Sequence, residues 1–121
     1  MGTLSDTSLS PDERLLLERF ASNLRSDEQN KVDAIWLFGS RARRTTPSES
    51  SDVDLLVLVA DDSWNAKAGI HDILQQTARA LDLQALTWSF SVHIHTPGWL
   101  AQRRKIGSFF IAEVDRDKVA A

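Results

Sequence analysis

No cysteine occurs among the 121 residues, so disulfide stapling and thiolate metal sites are both excluded. No apolar run approaches the roughly 20 residues that a membrane-spanning helix needs. The N-terminal segment lacks the apolar stretch of a secretory signal, and the expected location is cytoplasmic. A basic excess is missing as well: 14 Lys and Arg stand against 17 Asp and Glu, for a formal net charge of −3. That balance argues against a general nucleic-acid binder, which carries a broad cationic field. Internal repeats and low-complexity tracts are absent. The length allows one domain with a modest core.

What is present is patterned. Met1 to Leu9 is small and polar and is expected to be disordered, which leaves 10–121 as the domain. Ser10-Pro11-Asp12-Glu13 supplies an N-cap, a proline at the first helical position and a capping-box glutamate. Leu16, Leu17, Phe20, Ala21 and Leu24 follow at helical spacing. Ala34 to Phe38 is a short apolar run that suits a buried strand, and Val53 to Val59 reads as a central one. Asp61 to Trp64 is a turn, and a second helix from about Asn65 to Leu83 presents Ile70, Ile73, Leu74, Thr77 and Leu81 on one face. Thr87 to His95 alternates: Trp88, Phe90, Val92 and Ile94 face a core, while Ser91, His93 and His95 face a polar side. Thr96-Pro97 restarts a helix with Trp99 and Leu100, and a further amphipathic stretch holds Ile106, Phe109, Phe110 and Val114. This order gives the α/β class, with a small mixed sheet packed against helices.

Two short segments carry chemistry. Gly39 ends the first strand; it allows a sharp turn and leaves no Cβ against a ligand. Ser40 opens a short helix, where free N–H groups favour an anion, and its hydroxyl can donate to a phosphate or cap the helix. Asp52 and Asp54 lie two apart on the next strand, so their side chains share a face with Cα atoms roughly 6.5–7 Å apart. Two acids at the mouth of a buried strand are costly unless cations or donors compensate them. Mg²⁺ is a hard cation that takes carboxylate and phosphate oxygens, and it suits this pair. The plainer alternative makes Asp52 a turn residue and Asp54 a surface charge. Arg41, Arg43 and Arg44 follow the turn; guanidinium groups suit triphosphate oxygens, or else they lie on a solvated face or neutralise the acids. Thr45 to Ser50 reads as a polar, turn-rich loop over the pocket.

The run Leu37-Phe38-Gly39-Ser40-Arg41-Ala42-Arg43, with Ser51-Asp52-Val53-Asp54-Leu55 after it, resembles the minimal nucleotidyltransferase family of the polymerase-beta-like nucleotidyltransferase superfamily. The resemblance extends loosely from Leu15 onward and is specific only over residues 37–57. It implies a nucleotidyltransferase fold in which Gly39 and Ser40 hold the triphosphate of ATP, Arg41 and Arg43 assist, and Asp52 and Asp54 are catalytic and hold Mg²⁺. Arg44 stands where the family more often has glycine. The family also supplies a third carboxylate from the strand before Thr96-Pro97, and here its place is taken by Ser91. Serine is a poor base and a poor metal ligand at neutral pH. His93, one step along the same face, is either a proton or metal acceptor or a polar residue near solvent.

The resemblance further implies a partner. Members are commonly paired with a HEPN-domain ribonuclease toxin, on which they act as antitoxin by transferring AMP to a tyrosine or by masking the toxin. Two functions of different class follow for this chain: a Mg²⁺-dependent protein adenylyltransferase, or a weakened nucleotidyltransferase-fold module that neutralises its partner by occlusion. Trp99, Leu100, Ile106, Phe109 and Phe110 are candidates for a docking surface or for ordinary core. Transfer onto RNA ends is a third reading, disfavoured by the charge.

Overall fold

The computed structural model describes residues 3–43 and 52–121. The expected loop at Thr45 to Ser50, and Arg44, lie outside the described residues. Helix α1 (Pro11–Ser26) leads into strand β1 (Val32–Phe38), a one-turn 3-10 segment at Ser40–Ala42 and strand β2 (Val53–Val59). Helix α2 (Trp64–Ala80) and a 3-10 segment at Gln84–Ser89 then precede strand β3 (Phe90–His95). Helices α3 (Pro97–Lys105) and α4 (Phe109–Asp117) and a two-residue strand β4 (Val119–Ala120) complete the chain.

The sheet runs β3-β2-β1-β4. β1 is antiparallel to both β2 and β4, while β2 and β3 are parallel. The fold is therefore α/β around a small mixed sheet, as the sequence pattern leads one to expect. Helices α1 and α2 bury Leu16, Phe20, Leu24, Ile70 and Leu74 with Leu55 and Val57 of β2 on one side. Leu56 and Leu58 point the other way, into a second cluster with Leu100 of α3 and Ile111 and Val114 of α4. A strand buried on both faces needs a near-continuous apolar run, which explains the composition of β2.

The N-terminus of α1 has the expected form. Ser10 Oγ accepts from Glu13 N, and Glu13 Oε1 accepts from Ser10 N. Ahead of it, Leu4–Asp6 forms a 3-10 turn, and Leu4 and Leu9 pack against the core.

Several expectations change. α2 ends at Ala80 instead of Leu83, because Asp82 adopts φ +58° and the chain closes on Leu83 N→Ala78 O and Asp82 N→Arg79 O. That pair of bonds is a Schellman cap with aspartate in the usual glycine position. β3 starts at Phe90 instead of Thr87, and Trp88 is 92% exposed. Thr87 Oγ1 donates to Gln84 O and Ser89 Oγ to Leu86 O, local bonds that favour 3-10 turns over a ladder. In the C-terminal stretch Ile111 and Val114 enter the core, whereas Ile106 and Phe109 stay outside. Gly107, at φ +70°, breaks the helix between them and resets its face.

The second face of β3 also differs from a solvated one. α3 and α4 cover it, so His95 stacks on Trp99 with centroids 3.6 Å apart, and His93 packs against Phe38 and Phe110.

Candidate active site

Antiparallel pairing sets Phe38 opposite Asp54. The next residue, Gly39, has φ 75° and ψ −161°, a region essentially confined to glycine. A Cβ built there would lie 2.9 Å from Asp54 Oδ2. The turn and the second acid are thus in contact, and glycine is required both for the backbone and for the space. Ala42 N donates to Gly39 O and Arg43 N to Ser40 O, closing the turn. The helix expected at Ser40 is this single turn, so little macrodipole is available and an anion would depend on individual donors.

Asp54 is half-buried and Asp52 is exposed at the mouth of the strand. Burial pushes the Asp54 carboxyl above its ordinary value; the nearby His93 pulls it down and Asp52 pushes it up. A desolvated carboxylate beside a like charge is the environment that a divalent cation relieves. By the chemistry of its donors the pair fits Mg²⁺. Parallel pairing sets Ser91 beside Asp54, and Ser91 Oγ lies 3.3 Å from His93 Nε2. Among the described residues no group of three or more His, Asp or Glu side chains is placed to hold a metal.

The arginines separate. Arg41, expected to assist phosphate binding, is buried and ion-paired with Glu13 of α1. Ser8 adds to this strap: its N–H and hydroxyl both donate to Arg41 O. The pairing joins residues 28 apart in the chain, and the capping-box spacing of Glu13 conceals it. Arg43 is exposed at the end of the turn. It stands near Asp117, whose carboxyl is held below its ordinary range mainly by the Arg116 hydrogen bond, with Arg43 a minor contributor. Asp117 escapes a reading of the sequence because long-range packing and the β1–β4 pairing bring the end of α4 to this edge of the sheet.

The family model described as Polymerase beta, Nucleotidyltransferase matches residues 23–98, which span β1 to β3 and the turn between the two site strands. The chain belongs to that family. No curated protein and no solved structure matches it. Among the described residues no helix is long and apolar enough to cross a membrane.

Proposed function

We propose that this chain is a Mg²⁺-dependent nucleotidyltransferase that moves AMP from ATP to a protein hydroxyl, acting in the cytoplasm as the antitoxin of a HEPN-type ribonuclease. The observation that carries the catalytic part is the contact between Gly39 and Asp54. It supports a phosphate-binding turn and a metal-binding acid lying side by side. Gly39 and Ser40 then receive the triphosphate, and Arg43, exposed at the end of the turn, supplies a guanidinium. Arg41 holds the turn in place through Glu13. Asp52 and Asp54 hold the cation, which, when bound, neutralises phosphate charge and orients the α-phosphate.

In the reaction the acceptor oxygen bonds to the α-phosphorus. The bond from that phosphorus to the bridging oxygen breaks, pyrophosphate leaves with the electron pair, and the hydroxyl proton passes to solvent. The residues of the chain contribute mainly by aligning the reactants and complementing charge. The choice of a HEPN-type partner rests on the resemblance of residues 37–57 to the minimal nucleotidyltransferases.

Calorimetric titration of ATP with and without Mg²⁺ tests the site. Metal-dependent binding that disappears in Asp54→Asn is the expected result, and labelled AMP on a tyrosine of the co-purified partner is the expected product. Absence of metal-dependent binding would sink the enzymatic reading. The alternative, neutralisation by occlusion, is favoured by one observation: Ser91 occupies the β3 position beside Asp54. A complex whose stability is indifferent to Asp54→Asn, with no AMP transferred, would select it.

A further inference from the structure

The large apolar side chains exposed on this protein include Trp64 on α2 and Trp88 before β3, which stand apart in sequence. Ile106 and Phe109 are different. At 63% and 91% exposed, Ile106 opens the three-residue corner between α3 and α4 and Phe109 follows it at the start of α4. A surface ion-pair cluster ties the two helices together: Arg104 donates from Nε and Nη2 to Asp115 of α4, and Lys118 Nζ joins the same carboxylate. Apolar groups carried on helices that are tied together cost less backbone ordering when covered, which favours a binding anchor.

The α3 side of the corner is cationic on an acidic protein. The last turn of α3 carries Arg103, Arg104 and Lys105. Arg104 is neutralised by Asp115, whereas Arg103 lies over the Trp99 ring and Lys105 is exposed. A helix C-terminus favours cations through its dipole, but the dipole gives no reason for Ile106 and Phe109 to remain in water beside them. The corner is continuous with the candidate site. Phe110, next to Phe109, packs edge-on against Phe38 and tilted against His93, and Phe38 is the β-partner of Asp54.

We propose that the α3–α4 corner docks the protein that receives the nucleotide, gripping a segment whose apolar side chains cover Ile106 and Phe109 and whose carboxylates meet Arg103 and Lys105. This assignment rests on the transfer reading for the acceptor role, though not for the docking itself. The corner lies beyond the part of the chain that the family model matches.

The full chain is titrated with a short fluorescent peptide alternating leucine and glutamate, and with its lysine-for-glutamate counterpart, by fluorescence anisotropy. The acidic peptide is expected to bind, to weaken with salt, and to lose about tenfold in affinity in Ile106→Ser/Phe109→Ser. Both side chains are exposed, so the thermal melt of that variant should match the wild type. The proposal is overturned by no binding of the acidic peptide, by equal binding of the lysine peptide, or by an unchanged affinity in the variant. Two further results overturn it by naming another occupant: wild-type dimers that the substitutions dissociate in sedimentation, or binding to phosphatidylserine vesicles in preference to the peptide. Calorimetry with Mg²⁺ and ATP keeps the two readings separable. Peptide binding without ATP binding sustains the docking surface and sinks the transfer reading; ATP binding without peptide binding does the reverse.

Discussion

Gly39 and Asp54 are in contact across the β1–β2 pair, so that a methyl group on the first would sit 2.9 Å from a carboxylate oxygen of the second. The contact binds together two requirements that the sequence presents separately, a sharp turn and a partly buried acid. Gly39→Ala is expected to cost about 1–3 kcal/mol through its backbone conformation. It is also expected to abolish Mg²⁺-dependent ATP binding by displacing Asp54. In Gly39→Ala/Asp54→Ala the steric part should be relieved, so urea unfolding should show a smaller loss than the sum of the single changes, while ATP binding stays absent. Strict additivity would show that the contact is not the source of the strain.

Glu13 and Arg41 form a buried ion pair between α1 and the turn. Removing Glu13 takes a carboxylate partner away from a buried guanidinium, and breaking a buried pair typically costs about 3–5 kcal/mol. Glu13→Ala should therefore destabilise severely, since a small domain has only about 5–15 kcal/mol in total. The volume-conserving pair Glu13→Leu/Arg41→Met should unfold at a higher urea concentration than Glu13→Ala. Because the turn would lose its strap, that pair should nevertheless bind ATP more weakly than the wild type. If nucleotide affinity were unchanged, Arg41 would have no part in positioning Ser40.

The pH dependence of stability should include opposed contributions from Asp54 and His95. The Asp54 carboxyl is raised by burial from an ordinary 3.8. Above 3.8 the native state holds this proton longer than the unfolded chain does, so stability falls as pH rises through the window up to the raised value. Asp54→Asn should therefore melt higher than the wild type at pH 7 and show no advantage below pH 3.8. His95 is lowered from 6.5, first by burial and then by Lys67. Below 6.5 the unfolded chain takes up the proton first, so stability falls as pH drops through the window down to the lowered value. His95→Phe keeps an aromatic ring against Trp99 and should remove that loss. Thermal melts of the three proteins across these windows separate the Asp54 effect from the His95 effect.

Much of this architecture is legible in the sequence, for reasons of pattern. α1 announces itself through its capping box and apolar spacing, and β2 through an apolar run too short for a helix and bounded by acids. The turn at Gly39 and the pair Asp52 and Asp54 are visible because strand periodicity places side chains two apart on one face. What the pattern conceals is long-range. Nothing in its spacing shows that Glu13 serves Arg41 as well as Ser10, or that Asp117 arrives beside Arg43. Alternation continues through Trp88, but side-chain hydrogen bonds at Thr87 and Ser89 end the strand first. The imidazoles of β3 look solvated only until α3 and α4 are seen to cover that face, because periodicity reports which residues share a side and not what lies over it.

Ser91 and Asp54 are register partners on parallel strands, so a carboxylate at position 91 would project beside the existing acids. Ser91→Asp should give two opposite signs in one protein. Without metal, a third carboxylate near a partly desolvated one adds like-charge repulsion, and the melting temperature should fall. With Mg²⁺ the same three acids become a better ligand set for a hard cation, and binding of the native state alone stabilises it by mass action. The metal-induced rise in melting temperature should therefore exceed that of the wild type, and ATP affinity in Mg²⁺ should increase. His93 tests the same locus from the other side, since its imidazole lies 3.3 Å from the Ser91 hydroxyl. His93→Phe should preserve packing against Phe38 and Phe110 and remove a positive influence on Asp54. If Ser91→Asp lowered stability equally with and without Mg²⁺, the β3 position would not belong to the metal site, and the occlusion reading would gain accordingly.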